Sequence, residues 1–207
     1  TILMSAYSGL GLAYFSGTYP LLVGDATGES GTDKNRLTAY VLILLGVGEV
    51  LGGPAMGKLA DKVGSKMAMN VATVIALSSL AVTYINYELV SDDFLYVPWA
   101  IGAFLFGTTD SSLNTVLQGI CSHSRESPRA FSVFKLYQSL GAAIGFFASS
   151  FIKAQAVLAE LVVLAIFVVA SNGAIQVGLK STGSKNGFVG KDNEEEATTT
   201  LLSSGHQ

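Results

Sequence analysis

A single cysteine, Cys121, excludes an internal disulfide and any zinc site built from thiolates. The two histidines, His123 and His206, are too few and too badly placed for an imidazole-based metal or acid–base centre, so neither a metal nor a cofactor is expected. Phosphate-binding glycine loops, nucleophile–base constellations and clusters of metal-ligating side chains are also missing, which leaves an enzyme without support. No Asn-x-Ser/Thr acceptor occurs, so glycosylation marks no face of the protein. Charge is scarce, with 13% of the residues Asp, Glu, Lys or Arg, whereas soluble domains carry about 25%. The formal net charge of −3 removes the electrostatic footprint of a nucleic-acid partner. The first residues form neither the basic start nor the small-residue cleavage site of a signal peptide. A chain that opens on Thr1 and runs straight into an apolar stretch is expected to be a piece of something longer.

Apolar residues fill the space that charge leaves. They make up 50% of the 207 residues, and they come in blocks of bilayer-crossing length, about 20 residues. Six such blocks are expected to be spans, roughly 2–23, 37–56, 67–89, 95–121, 129–152 and 156–179, joined by short polar connections. Lipid offers backbone groups no hydrogen-bonding partner and the segments are too long for barrel strands, so each is expected to be helical. The fold class is therefore an all-α membrane protein with a six-helix transmembrane domain over 1–179 and the lipid bilayer as its first partner. From Lys180 to Gln207 the chain is rich in Gly, Ser and Asn and then acidic, a composition expected of a disordered tail. Within it "EEEATTTLL" is an imperfect acidic dileucine sorting pattern, with Ala197 where the acid usually stands.

Basic residues near span ends give an orientation. If the 57–66 connection is cytosolic, that side carries Lys58, Lys62, Lys66, Arg125, Arg129 and Lys180, against Lys34, Arg36 and Lys153 on the other. This bias places both ends of the chain in the cytosol. Plasma and endolysosomal membranes are not distinguished.

The connection "GKLADKVGSK" (57–66) is the sharpest polar interruption in the chain. As a tight turn between antiparallel helices, its Gly57 and Gly64 permit close approach and positive φ, Asp61 suits the positive end of a neighbouring helix, and Lys62 and Lys66 suit anionic headgroups. The pattern G-x-x-x-D-K-x-G-x-K between a second and third span resembles the signature loop of the major facilitator superfamily. Further stretches, "AYSGLGLAYFSGTYP" (6–20), "GVGEVLGGPAMG" (46–57), "TTDSSLNTVLQG" (108–119) and "AFSVFKLYQSLGAAIGFF" (130–147), resemble the C-terminal half of Unc-93-like proteins, within them the branch called major facilitator domain-containing protein 11. That resemblance covers about 1–179. It implies one half of a major facilitator fold, helices seven to twelve of a twelve-helix chain, with the 57–66 connection as a conformational gate. The other wall would come from a missing N-terminal half or a second six-helix unit.

Ionisable residues inside spans are functional candidates because the bilayer penalises them. Glu49, Asp110, Lys135 and Glu160 fall in the second, fourth, fifth and sixth spans. Asp110, Asn114 and Gln118 share one helix face at i, i+4 and i+8, and Lys135 and Gln138 share another at i, i+3. A short connection between those helices is expected to bring Asp110 or Glu49 against Lys135, and the resemblance implies that the D-S-x-x-N-T and F-K-x-x-Q-S patterns matter. The same polar faces also serve as interhelical glue. Glu160 is expected to snorkel to the outer surface, and Tyr7, Tyr14 and Tyr19 to line a cavity or, for Tyr19, an interfacial belt. Gly48, Gly52, the Gly53-Pro54 pair, Gly141 and Gly145 are read as packing devices or hinges, and Cys121 as a buried thiol or a palmitoylation site. Two functions fit: a secondary transporter of a small solute, with Asp110, Asn114, Gln118, Lys135, Gln138 and Glu49 binding or coupling, or a non-transporting regulator or escort of a channel or receptor.

Overall fold

The structure, a computed structural model, describes residues 2–26, 32–89, 96–124, 126–150 and 157–178. The expected tail over 180–207 and its dileucine pattern lie outside them. Every extended element among the described residues is helical, arranged as six rods. The first rod is composite: α1 (Ile2–Ala13) passes through a π-helical segment, Tyr14–Thr18, into α2 (Tyr19–Ala26). The others are α3 (Thr32–Val63), α4 (Ser65–Leu89), α5 (Tyr96–Ser122), α6 (Ser127–Ser149) and α7 (Val157–Gly178).

Among the described residues, four stretches, Asn35–Val63, Ser65–Glu88, Ser127–Ser149 and Val157–Gly178, are long and apolar enough to cross a membrane. The first rod and α5 differ in that the former is interrupted by its π turn and the latter carries the polar run "TTDSSLN" (108–114) at mid-length. On α4, hydroxyls that would be costly in lipid are satisfied within the helix. Along α4, Thr73, Ser78, Ser79 and Thr83 each donate to the carbonyl three or four residues back, at 2.7–2.9 Å.

α3 packs along α5, α1 along α6, and α4 against both α5 and α3. Ala68, Ala72 and Ala76, one turn apart and fully buried, form a smooth stripe on α4. α7 bridges the first rod and α4: Phe167 meets Tyr7 with ring centroids 6.2 Å apart, and Asn172 donates to Asn70 at 2.9 Å. Gln176 donates to the Lys66 carbonyl at 3.0 Å, placing the end of α7 beside the α3/α4 junction. Large apolar side chains, among them Ile43, Val50, Leu136, Phe147, Val163 and Ile166, remain exposed, a surface suited to lipid or to further helices.

The 57–66 connection is not a ten-residue loop. Helix α3 runs through Gly57, Lys58, Asp61 and Lys62 to Val63, and α4 begins at Ser65, so Gly64 alone separates them. Its φ of +83° and its N–H bond to the Ala60 carbonyl at 2.8 Å form a left-handed helix cap. Gly57 is helical, with only the Thr115 methyl 3.7 Å from where a Cβ would stand, so neither a turn nor a tight approach depends on it. Asp61, Lys62 and Lys66 are exposed, and Asp61 has no hydrogen bond or ion pair among the described residues. Gly64→Ala is expected to cost about 1 kcal/mol, since an L side chain is strained there. Gly64→Asn should cost less, and thermal unfolding in detergent checks the order.

Candidate functional site

Mid-length on the bundle, α1, α5 and α6 meet through polar side chains. Gln138 on α6 is the hub. Its Nε2 donates to Asn114 Oδ1 on α5 at 2.9 Å and to Ser8 Oγ on α1 at 3.0 Å, while its Oε1 accepts from Lys135 Nζ at 2.8 Å. Ser8 Oγ also donates to Asn114 Oδ1 at 3.4 Å, and Asn114 Nδ2 returns to the Asp110 carbonyl, one turn back on its own helix, at 3.0 Å. Ser8 and Gln138 are buried, Asn114 and Asp110 half-buried, and Lys135 exposed, so the chain of hydrogen bonds leads from the core to an open surface. Phe134 lies 4.9 Å beneath the Lys135 ammonium, a cation–π contact that steadies the charge.

The helices can approach this closely because of glycine. A Cβ on Gly9 would overlap the Gln138 carbonyl oxygen, and one on Gly141 would overlap that of Ala6, which seats α1 against α6 at the level of the hub. Serine and glutamine therefore bond across a seam that glycine has made narrow.

Asn114, Lys135 and Gln138 thus come together as their helical spacing suggests. The expected pairing of Asp110 or Glu49 with Lys135 does not form: among the described residues neither carboxylate makes an ion pair. Lys135 is instead held by Gln138, one turn along its own helix, and by the Phe134 ring. Gln118 is exposed and outside the network, because by two turns its face has drifted from α6. Ser8 was not legible as a member, since a serine inside an apolar run carries no periodic signal.

The three tyrosines are buried, and Tyr19 belongs to no interfacial belt. Tyr7, Tyr14 and Tyr19 are 3%, 1% and 0% exposed. Tyr19 donates to the Trp99 carbonyl at 2.6 Å and stands edge-on to Trp99 and Phe106, locking the first rod to α5. Glu160 does not snorkel either: its Oε1 accepts from Thr18 at 3.3 Å and its Oε2 is buried. Cys121 is buried, with its thiol 3.8 Å from the Ala130 carbonyl.

Comparison with known proteins gives this helical arrangement a family. A family profile described as "Ion channel regulatory protein UNC-93" matches residues 1–174. The chain belongs to the UNC-93 family. The UNC93-like protein MFSD11 of Xenopus laevis is 28% identical over 202 residues, which cover 86% of this chain and 43% of that protein. The same-named protein of Xenopus tropicalis is 28% identical over 194 residues, with the same coverage. The chain therefore spans less than half the length of these relatives. No solved structure matches it. Family membership and the apolar helices together make this an integral, multi-pass membrane protein.

Proposed function

We propose that the six rods all cross the bilayer as one half of a major facilitator fold, and that the Ser8–Asn114–Gln138–Lys135 face lines a solute path. The carrying observation is the hydrogen-bonded chain itself. It links three helices at mid-length and ends on an exposed cation. A packing contact needs no exposed charge at its end, and an ionisable side chain inside a membrane span is a functional candidate by default. The facing wall would come from the part of the relatives' length that this chain does not span. The orientation with both ends cytosolic, the α3/α4 junction on the same side, rests on the lysine and arginine bias. The solute's class stays open between anions drawn to Lys135 and cations drawn to Asp110 and Glu49.

A second reading has an observation of its own: the matching family is described by ion-channel regulation. In that reading the same face binds helices of a channel or receptor. Thiol accessibility separates the two. In a Cys121→Ala background, cysteines at 110, 114 and 135 are each treated with a membrane-impermeant thiol reagent in intact and permeabilised cells. A solute path predicts modification at all three, from one side in each state, while a cysteine at exposed, apolar Ile144 stays unmodified. Modification of none of the three would sink the solute path and favour a covered, partner-binding face.

A further inference from the structure

Toward their N-terminal ends α3 and α5 leave a groove of about 740 Å³ between them, within the range of about 300–1,000 Å³ typical of small-molecule sites. It has no part in the polar face above. One wall runs from Arg36 to Leu44 on α3, the other from Val97 to Leu105 on α5. A helical stretch of that length rises about 12 Å, most of one leaflet of a hydrocarbon core about 30 Å thick. Past Leu44 the glycine seam closes the space: a Cβ at Gly48 would overlap the Phe104 carbonyl oxygen, and one at Gly107 that of Leu45. The chemistry of the groove changes with depth. Among the described lining residues Arg36 is the one charged side chain, and it stands at the rim, one residue inside the apolar stretch that begins at Asn35. Its Nε donates to the Tyr40 hydroxyl at 3.1 Å, and its guanidinium carbon lies 5.7 Å from the Tyr40 ring centre. The cation is thus held beside the groove by a side chain that also lines it. Deeper, the lining is aliphatic and aromatic, with Ala100 the one small residue among those described. Membrane helices meet through small residues that let backbones approach, so walls such as Leu44, Phe104 and Leu105 suit a flexible chain better than another helix.

We infer that this groove binds a bilayer phospholipid, with one acyl chain between α3 and α5 and the phosphate on Arg36. A guanidinium fork matches the geometry of a phosphate, and an apolar slot about one leaflet deep matches an acyl chain. The cation at the rim selects this occupant over a sterol or a diacylglycerol, neither of which brings an anion. The inference rests on the reading that α3 and α5 cross the bilayer, and it holds whether the polar face serves a solute or a partner.

The test places the full chain in vesicles of uncharged digalactosyl diacylglycerol with a trace of phosphatidylcholine that carries a diazirine on one acyl chain. After irradiation the labelled residues are mapped by mass spectrometry. Ile144 and Phe147 of α6, exposed and apolar, report the baseline from lipid that merely surrounds the protein. Labelling over 37–44 and 97–105 is expected to exceed that baseline, whereas diazirine-bearing diacylglycerol should show no such excess. Arg36→Gln should lower the excess about fivefold, the contribution of one basic residue near a membrane surface, and Arg36→Lys should restore part of it. Ala100→Phe fills the groove and should remove its labelling while the α6 baseline stays. The inference is overturned if the groove is labelled no more than α6, if Arg36→Gln leaves the excess unchanged, or if diazirine-bearing cholesterol shows an equal excess. Labelling of α6 alone would leave the bilayer-crossing reading intact and assign the groove to protein packing. Labelling of neither α3, α5 nor α6 would sink that reading together with the inference.

Discussion

Gly107→Val is expected to abolish the folded bundle, with no monodisperse peak surviving detergent extraction. A Cβ at Gly107 on α5 would overlap the Leu45 carbonyl oxygen of α3 and come within 2.9 Å of the Glu49 nitrogen. The seam is reciprocal, for a Cβ at Gly48 on α3 would overlap the Phe104 carbonyl oxygen, and at Gly52 the neighbour is Thr108 Cα at 2.9 Å. The obstructing atoms are backbone, which cannot swing aside as the tip of a side chain can. Overpacked cores usually lose about 1–3 kcal/mol. Here the whole helix must retreat, and the movement disturbs α4, which also packs on α5. Apolar burial cannot compensate, since helices already in lipid associate by close packing rather than by a hydrophobic driving force. Gly107→Ala should retain a folded fraction with a lower melting temperature. Gly46→Ala supplies the control: it lies in the same helix as Gly48, but nothing stands within 4 Å of its Cβ position. That change should be neutral or stabilise by up to about 1 kcal/mol through helix propensity. If Gly107→Val and Gly46→Ala behave alike in size-exclusion profile and melting, the α3/α5 seam is not as described.

The helices themselves were legible because membrane helices are written in composition. An apolar block in lipid must satisfy its own backbone, so the helical character of the rods was legible from composition, whereas the extent of α3 was not. There, the polar composition of residues 57–63 signals the end of the apolar block but not the end of the helix, which continues until Gly64 offers positive φ. Facing side chains were less legible. Helical period placed Asn114, Lys135 and Gln138 correctly on their own helices, yet the partner of Lys135 depends on rotamer and local reach, and Gln138 at i+3 is nearer than any carboxylate on another helix. Tyr19 and Glu160 were misread for a related reason. Depth counted along one helix assigns a residue to the membrane surface, but a neighbouring rod, here the Trp99 carbonyl and the Thr18 hydroxyl, can cover that depth completely. Seams such as Gly107 against Leu45 are the hardest to foresee, because a glycine that admits a backbone and one that faces open space, such as Gly46, look identical in sequence.

Gln138→Leu is expected to have the second-largest effect, and its pairing with Lys135→Met separates architecture from activity. Gln138 is 8% exposed and makes three side-chain bonds, two of them to other helices. Interhelical side-chain bonds in membranes average about 0.6 kcal/mol and reach about 1.7, so losing two, with Asn114 and Ser8 left short of a donor, should cost about 1–3 kcal/mol of stability. Gln138→Glu should not rescue it, although a carboxylate still accepts from Lys135, because it has no proton to give Asn114 or Ser8. A double-mutant cycle with Asn114→Ala should return a coupling close to one such bond. Lys135 differs in that its ammonium sits at the exposed end of the chain of bonds. Lys135→Met keeps the aliphatic stem and should leave stability within about 0.5 kcal/mol of the parent, as for other exposed positions. If the face acts on a solute or a partner, that same change should remove the activity read in cells, whether flux or channel current, at unchanged surface level. Should Lys135→Met melt the protein as severely as Gln138→Leu, the network is a packing device and the functional face lies elsewhere. If neither changes activity once the amount of folded protein is matched, the polar chain serves only to hold α1, α5 and α6 in register.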